Sequence, residues 1–144
     1  MKNKFLLPGI AIILLLGIAF IAFSRQGQDQ NKASEKIAQE ANSTQYLTYS
    51  ESNLAKAKAH GRAVLYFWAS WCPTCKVLDA ELKERGNELP DDVTILQVNY
   101  DTEDELKEQY GITQQHTLVQ IDSDGNEVEK WIGGGIETIK QQLK

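Results

Sequence analysis

Two cysteines and two histidines are all the thiol and imidazole chemistry in this 144-residue chain. That scarcity excludes a good deal. A structural zinc site takes four ligands at short spacing, and His60 and His116 lie too far from each other to supply a finger-type pair. A purely structural disulfide usually closes a longer loop in a chain short of core. Cys72 and Cys75 are separated by only Pro73 and Thr74. Positive charge is also short, with 15 Lys and Arg against 20 Asp and Glu. The basic residues are scattered, so no nucleic-acid partner is expected. The acids from Asp101 to Glu108 lack the glycine and ligand spacing of a calcium loop. There is no internal repeat.

One long apolar run is present. Phe5 to Phe23 holds 19 residues without a charge, preceded by Lys2 and Lys4. At about 1.5 Å per helical residue it just spans a hydrocarbon core of about 30 Å. The flanking lysines keep the N-terminus in the cytoplasm and send the rest across. A cleaved signal peptide ending near Ala22-Phe23-Ser24 is the competing expectation, but the run exceeds the roughly 7–15 residues of a signal core. No cysteine follows it, so lipid attachment is not suggested. We therefore expect residues 1–24 to be a signal anchor and transmembrane helix. Residues 25–44, rich in Gln, Asn, Ser, Lys and Glu, read as a polar linker that cannot bury a core. Residues 45–144 read as a folded domain outside the cytoplasmic membrane, where disulfides persist.

Within that domain, Tyr46–Tyr49 predicts a short strand. Ser50 caps a helix through Ala59, and Gly61 stops it. Ala63–Ala69 (AVLYFWA) is a continuous apolar run, as in a strand buried on both faces. Pro73 suits the first turn of a helix reaching Arg85, with Val77, Leu78 and Leu82 as its apolar face. Val93–Asn99 predicts a strand, and Thr102–Gln109 a short acidic helix capped by Thr102. Thr117–Ile121 and Glu127–Ile132 predict a hairpin around Asp122-Ser123-Asp124-Gly125. Ile136–Leu143 predicts a last helix after three glycines. The order β-α-β-α-β-α-β-β-α implies an α/β three-layer sandwich with a mixed central sheet.

Cys72 sits where a buried strand becomes a helix. The free N–H groups and positive dipole end there favour a thiolate. Cys72 is thus the attacking sulfur, and Cys75, one turn on, resolves the mixed disulfide. Trp71 places a flat apolar surface beside the sulfur, and Pro73 stiffens the turn.

Trp-Cys-Pro-Thr-Cys-Lys (71–76) after Phe67-Trp68-Ala69-Ser70 resembles the active site of the thioredoxin superfamily. The resemblance covers about residues 45–144, including Asn99-Tyr100-Asp101, Tyr110-Gly111-Ile112, the Asp-Gly hairpin and Gly133. It implies a thioredoxin-like fold and a thiol–disulfide oxidoreductase with catalytic Cys72 and Cys75. Trp71, Pro73, Thr74, Lys76 and Thr117 form the implied surroundings. The redox-active disulfide replaces any dissociable cofactor. Partners would be protein thiols and disulfides and a membrane electron donor or oxidant. The Pro-Thr pair, with the anchor, resembles extracytoplasmic membrane-tethered reductases.

Four positions depart from the family, one of them Ala80, which stands where a helix-kinking proline is expected. Tyr66 stands where thioredoxins carry a buried acid, and with an ordinary pKa of about 10 it is a poor base. Asp79 and Glu81 on the next helix read as a solvated face, able to reach the site only through water. Gln97 stands where a lysine is often found. His116 stands where most members have a cis-proline before Thr117. A cis bond before a non-proline costs about 2.5–4 kcal/mol, so the Gln115–His116 peptide is expected trans, or strained cis. The resemblance puts this imidazole within a few ångströms of the cysteines. As a cation it would favour the thiolate; as a neutral group it could shuttle a proton. With both thiolates it could instead hold Cu(I) or Zn(II). The alternative function is therefore a membrane-anchored copper-binding assembly factor using Cys72, Cys75 and His116. Copper carriers of this fold usually space their cysteines farther apart, which counts against it.

Overall fold

The computed structural model describes residues 45–144. The expected span at 5–23 and the linker at 25–44 lie outside the described residues. Among the described residues no helix is long and apolar enough to cross a membrane.

Five strands form one sheet: β1 (Tyr46–Thr48), β2 (Arg62–Trp68), β3 (Val93–Asn99), β4 (Thr117–Ile121) and β5 (Glu127–Ile132). Their spatial order is β1-β3-β2-β4-β5. β1, β3 and β2 run parallel, and β4 and β5 are added antiparallel. Among the described residues, four α-helices cover the faces: α1 (Glu51–His60), α2 (Pro73–Arg85), α3 (Asp104–Gln109) and α4 (Ile136–Gln142). This is the expected mixed-sheet sandwich.

The period-two alternation of β2 divides the core. Val64 and Tyr66 point to the side of Leu78 and Leu82 from α2 and Ile136 and Ile139 from α4. Ala63, Leu65 and Phe67 point the other way, against Ala57 of α1 and Tyr110. Every residue from Ala63 to Phe67 is fully buried, which explains why β2 reads as an unbroken apolar run rather than an alternation. Ser50 accepts the Asn53 N–H at 3.1 Å as the cap of α1.

Several local expectations need correction. Val77 is 61% exposed. The buried stripe of α2 is Cys75, Leu78 and Leu82, spaced by three and four residues, and Val77 lies off it. Thr102 caps nothing. Its N–H and that of Glu103 both turn back to the Asn99 carbonyl, so α3 begins only at Asp104, without a side-chain cap. Asp79 and Glu81 are not a solvated face. Asp79 accepts the Tyr46 hydroxyl at 2.8 Å and the Gln97 amide at 3.0 Å, tying α2 to β1 and β3. Glu81 accepts the Ile136 N–H at 3.0 Å and so holds the start of α4.

Candidate active site

β2 ends at Trp68, and α2 begins at Pro73. The Cys72 N–H donates to the Ala69 carbonyl at 3.1 Å. Cys72 itself is the N-cap of α2, with Pro73 in the first turn. Its sulfur accepts the Cys75 N–H at 3.2 Å. A helix cap is normally a hydroxyl or carboxylate oxygen. Here a sulfur takes that place, at the positive end of the helix. Both cysteines are free thiols and buried.

The two thiols are held differently. Burial opposes ionisation of Cys72, but hydrogen bonds from the side chains and amides of Cys75 and Thr74 outweigh it, leaving this thiol below its ordinary value. Burial pushes Cys75 up to about 11, reinforced by Cys72 beside it. A sulfur favoured as thiolate at the helix end thus stands next to one whose ionisation is disfavoured behind it.

Trp71 is 56% exposed, and its indole N–H is shared between both carboxylate oxygens of Asp101 at 3.1 Å. Thr74 and Lys76 are exposed on the first turn of α2. Thr117 is buried, its hydroxyl donating to the Gln114 carbonyl at 2.8 Å. Tyr66 is fully buried and its hydroxyl donates to the Cys75 carbonyl at 3.0 Å. Burial, with Cys75 alongside, holds the phenol far above its ordinary value. Tyr66 is therefore a brace for the start of α2 and no base.

His116 is where the expectation is sharpest. Among the described residues there is no cis peptide, so the Gln115–His116 bond is trans. The strain appears instead in φ, which is +59° at His116, the only described non-glycine residue on the positive side. Two backbone bonds impose it: the His116 N–H donates to the Phe67 carbonyl, and the His116 carbonyl accepts the Gly133 N–H, each at 2.8 Å. The ring is thereby delivered to the cysteines. Nδ1 lies 2.7 Å from the Thr74 hydroxyl and Nε2 lies 3.0 Å from the Gly134 carbonyl. The Thr74 hydroxyl is in turn 3.3 Å from the Cys72 sulfur. Tyr66 packs edge-on against the imidazole, centroids 5.7 Å apart. Burial lowers the His116 pKa from its ordinary value, partly offset by the Gly134 bond, which favours the neutral ring in the resting site.

Ligand atoms of Cys72, Cys75 and His116 lie within 4.8 Å of one another. A soft ion there would need an imidazole lone pair. Both ring nitrogens are already engaged, by Thr74 and by Gly134. As arranged, the cluster offers two sulfurs and one imidazole nitrogen, Nδ1, which an ion could take only by displacing the Thr74 hydroxyl. His60, at the end of α1, is exposed and plays no part. Gly134 was the residue missed. Its contribution is a carbonyl, and the Gly133-Gly134-Gly135 run was the only trace of it. Two shallow cavities of about 270 and 260 Å³ flank the ring, and Thr74, His116 and Gly134 line both.

Comparison with known proteins agrees with this geometry. Over 84 residues the chain is 39% identical to the thioredoxin of Chlamydia trachomatis, covering 58% of this chain and 80% of that one. It is 29% identical over 93 residues to the thioredoxin of Bacillus subtilis, covering 65% and 88%. The crystal structure of Trxlp from Edwardsiella tarda superposes with a TM-score of 0.55 at 27% identity, covering 67% of this chain and 95% of that one. The thioredoxin family profile matches residues 43–144. That match runs from β1 to the end of α4, so the chain belongs to the thioredoxin family and is a thiol–disulfide oxidoreductase.

Proposed function

We propose that this oxidoreductase works outside the cytoplasmic membrane, tethered by the 5–23 segment, and runs mainly as a reductase of protein disulfides. The observation that carries the chemistry is the unequal pair of thiols at the N-terminus of α2. Cys72 is activated by its helix-end hydrogen bonds, and Cys75 is held near 11 until it is needed. Cys72 attacks a substrate disulfide and forms a mixed disulfide. Cys75 then displaces the product, leaving Cys72–Cys75 oxidised and the substrate reduced by two electrons. No dissociable cofactor enters. A reductase in this place would be recharged by a membrane electron-donor protein; an oxidase would run the same steps backwards with a membrane oxidant. The uncharged run with Lys2 and Lys4 before it supports the location. The two-residue spacing of the cysteines favours exchange over copper binding.

Two measurements test this. A membrane-impermeant maleimide applied to intact, reduced spheroplasts should label Cys72; labelling only after lysis overturns the location. Equilibration of the purified protein against glutathione should give a potential near the roughly −270 mV of a reducing thioredoxin. A value near the roughly −120 mV of a strong periplasmic oxidant overturns the direction.

A further inference from the structure

We propose that Thr74 and His116 form a proton relay for Cys72, in which the Thr74 hydroxyl passes the thiol proton to Nδ1 of His116 and later returns it to the departing sulfur. The proposal deepens the exchange reading and rests on it.

Counting hydrogens along the chain of contacts leads there. The Gly134 carbonyl can only accept, so Nε2 of His116, 3.0 Å away, carries a hydrogen in every protonation state. A neutral imidazole then has its lone pair on Nδ1. That atom is 2.7 Å from the Thr74 Oγ1, so the single hydroxyl hydrogen of Thr74 points to it. Oγ1 is left as an acceptor towards Cys72, 3.3 Å away, and the thiol donates its S–H. Moving two hydrogens reverses both bonds of the Thr74 hydroxyl and leaves the Nε2–H bond to Gly134 as it was. The thiol proton goes to Oγ1 and the hydroxyl proton goes to Nδ1. The result is a thiolate facing a hydroxyl donor, and an imidazolium with both N–H groups bonded. No heavy atom has to move.

Thr74 has one hydrogen for two claimants. A Cys72 thiolate and a neutral His116 cannot both receive it. Ionisation of the thiol and protonation of the ring are therefore coupled through that hydroxyl. In the first half-reaction Cys72 attacks with the electron pair freed by the relay. The new Cys72–substrate S–S bond forms as the substrate S–S bond breaks. The departing sulfur leaves with its electron pair and takes the proton back from Nδ1 through Thr74. Mass, charge and electrons balance without any outside reagent.

The neighbouring groups do not offer another route. Tyr66 is committed to the Cys75 carbonyl. Glu81, which lines a cavity with His116, is held by the Ile136 N–H. The Cys75 thiol, pushed up to about 11 by burial, is a reluctant acid. His116 is 6% exposed, and its strained φ, fixed from both sides by Phe67 and Gly133, is the kind of backbone cost that persists where surrounding structure insists on a position.

The test uses the reduced full-length protein in detergent, with a chelator present to keep adventitious metal off the thiols. Stoichiometric reaction of Cys72 with a small aromatic disulfide is timed at pH 7 for the wild type, Thr74→Val, Thr74→Ser, His116→Gln and the Thr74→Val/His116→Gln double variant. Thr74 is exposed, so valine does not disturb the core. We expect Thr74→Val to slow the reaction about a hundred-fold, the lower end of the range for a positioned general base. Thr74→Ser should recover most of it. The double variant should be no slower than the worse single one, because the two residues act in one chain. Nitrogen-15 NMR of the reduced protein should show the His116 proton on Nε2. A Thr74→Val rate within two-fold of wild type overturns the relay, as do multiplying losses in the double variant or a neutral ring protonated on Nδ1. Loss of the broader exchange reading looks different: the wild type would react with the small disulfide but fail to reduce a protein disulfide.

Discussion

Replacing His116 with proline inserts the residue most of the superfamily resemblance would call for, and it should damage this protein. Proline fixes φ near about −65°, whereas His116 sits at +59°. Proline also has no N–H, and the His116 N–H is the partner of the Phe67 carbonyl at 2.8 Å. Phe67 is fully buried, so that carbonyl loses a bond with little water to replace it, costing about 1–3 kcal/mol. Losing the imidazole removes the bonds to Gly134 and Thr74, together about 1–3 kcal/mol. An incompatible φ adds more than about 1 kcal/mol as residues 114–116 re-form. Against this, the left-handed strain of about 1–2 kcal/mol is released, and the unfolded chain loses up to about 1 kcal/mol of freedom. With each contribution at mid-range the net loss is about 3 kcal/mol. For a domain of this size each kcal/mol is worth about 4–8 °C, so the melting temperature should fall by ~10–25 °C.

His116→Gly separates the causes. It keeps the N–H and accepts the positive φ without strain, losing only the side chain and some backbone rigidity, about 1 kcal/mol net. The expected order of stability is wild type, then glycine, then proline. Urea unfolding of the reduced proteins, followed by fluorescence of Trp68, Trp71 and Trp131, measures it, with an unchanged m-value confirming that only stability moved. Proline as stable as glycine or better would sink the reasoning, because it would mean that the backbone pairing of His116 with Phe67 and Gly133 is dispensable.

Three further outcomes follow from the site. At pH 7 a thiol with its pKa near 11 is thiolate in about one molecule in ten thousand, so iodoacetamide should label Cys72 and leave Cys75 untouched; comparable labelling by peptide mapping contradicts the assignment of roles. Tyr66→Phe removes one buried hydrogen bond and should cost about 1 kcal/mol while changing the exchange rate less than two-fold; a ten-fold slower rate would mean that the phenol takes part in proton transfer. Burial lowers the His116 pKa in the folded state, so below the unfolded value of about 6.5 the unfolded chain binds the extra proton first. Stability of the reduced protein should therefore fall as pH drops from that point towards the folded pKa, and His116→Gln should flatten that slope in acid titrations of the unfolding midpoint.

The parts of this molecule that could be read from its residues are those whose side chains carry the information. The unbroken apolar run of β2, the cysteine pair at the start of α2 and the Asp-Gly turn each announce themselves locally. The identity of His116 was equally plain, and the resemblance placed it beside the thiols. Asp79 was harder. Its helix position was correct, but its partners Tyr46 and Gln97 come from two different strands, and only the packed sheet brings them within reach. Val77 looked like core because it is apolar; the phase of α2 turns it outward beside the cavity that His116 shares.

What remained hidden was backbone. The left-handed φ of His116 is forced by a carbonyl on β2 and an N–H after β5, contacts between segments distant in sequence. The tautomer of its ring is set by the carbonyl of Gly134. Every residue has a carbonyl, so no residue type marks the one that matters. Yet that acceptor decides which imidazole nitrogen faces Thr74, and hence whether the histidine can take a proton from Cys72. An imidazole in this position with Nε2 unbonded could present either nitrogen, and the same six residues around the cysteines would then have a different acid–base chemistry. The motif names the reaction, and the backbone at 134 directs its proton.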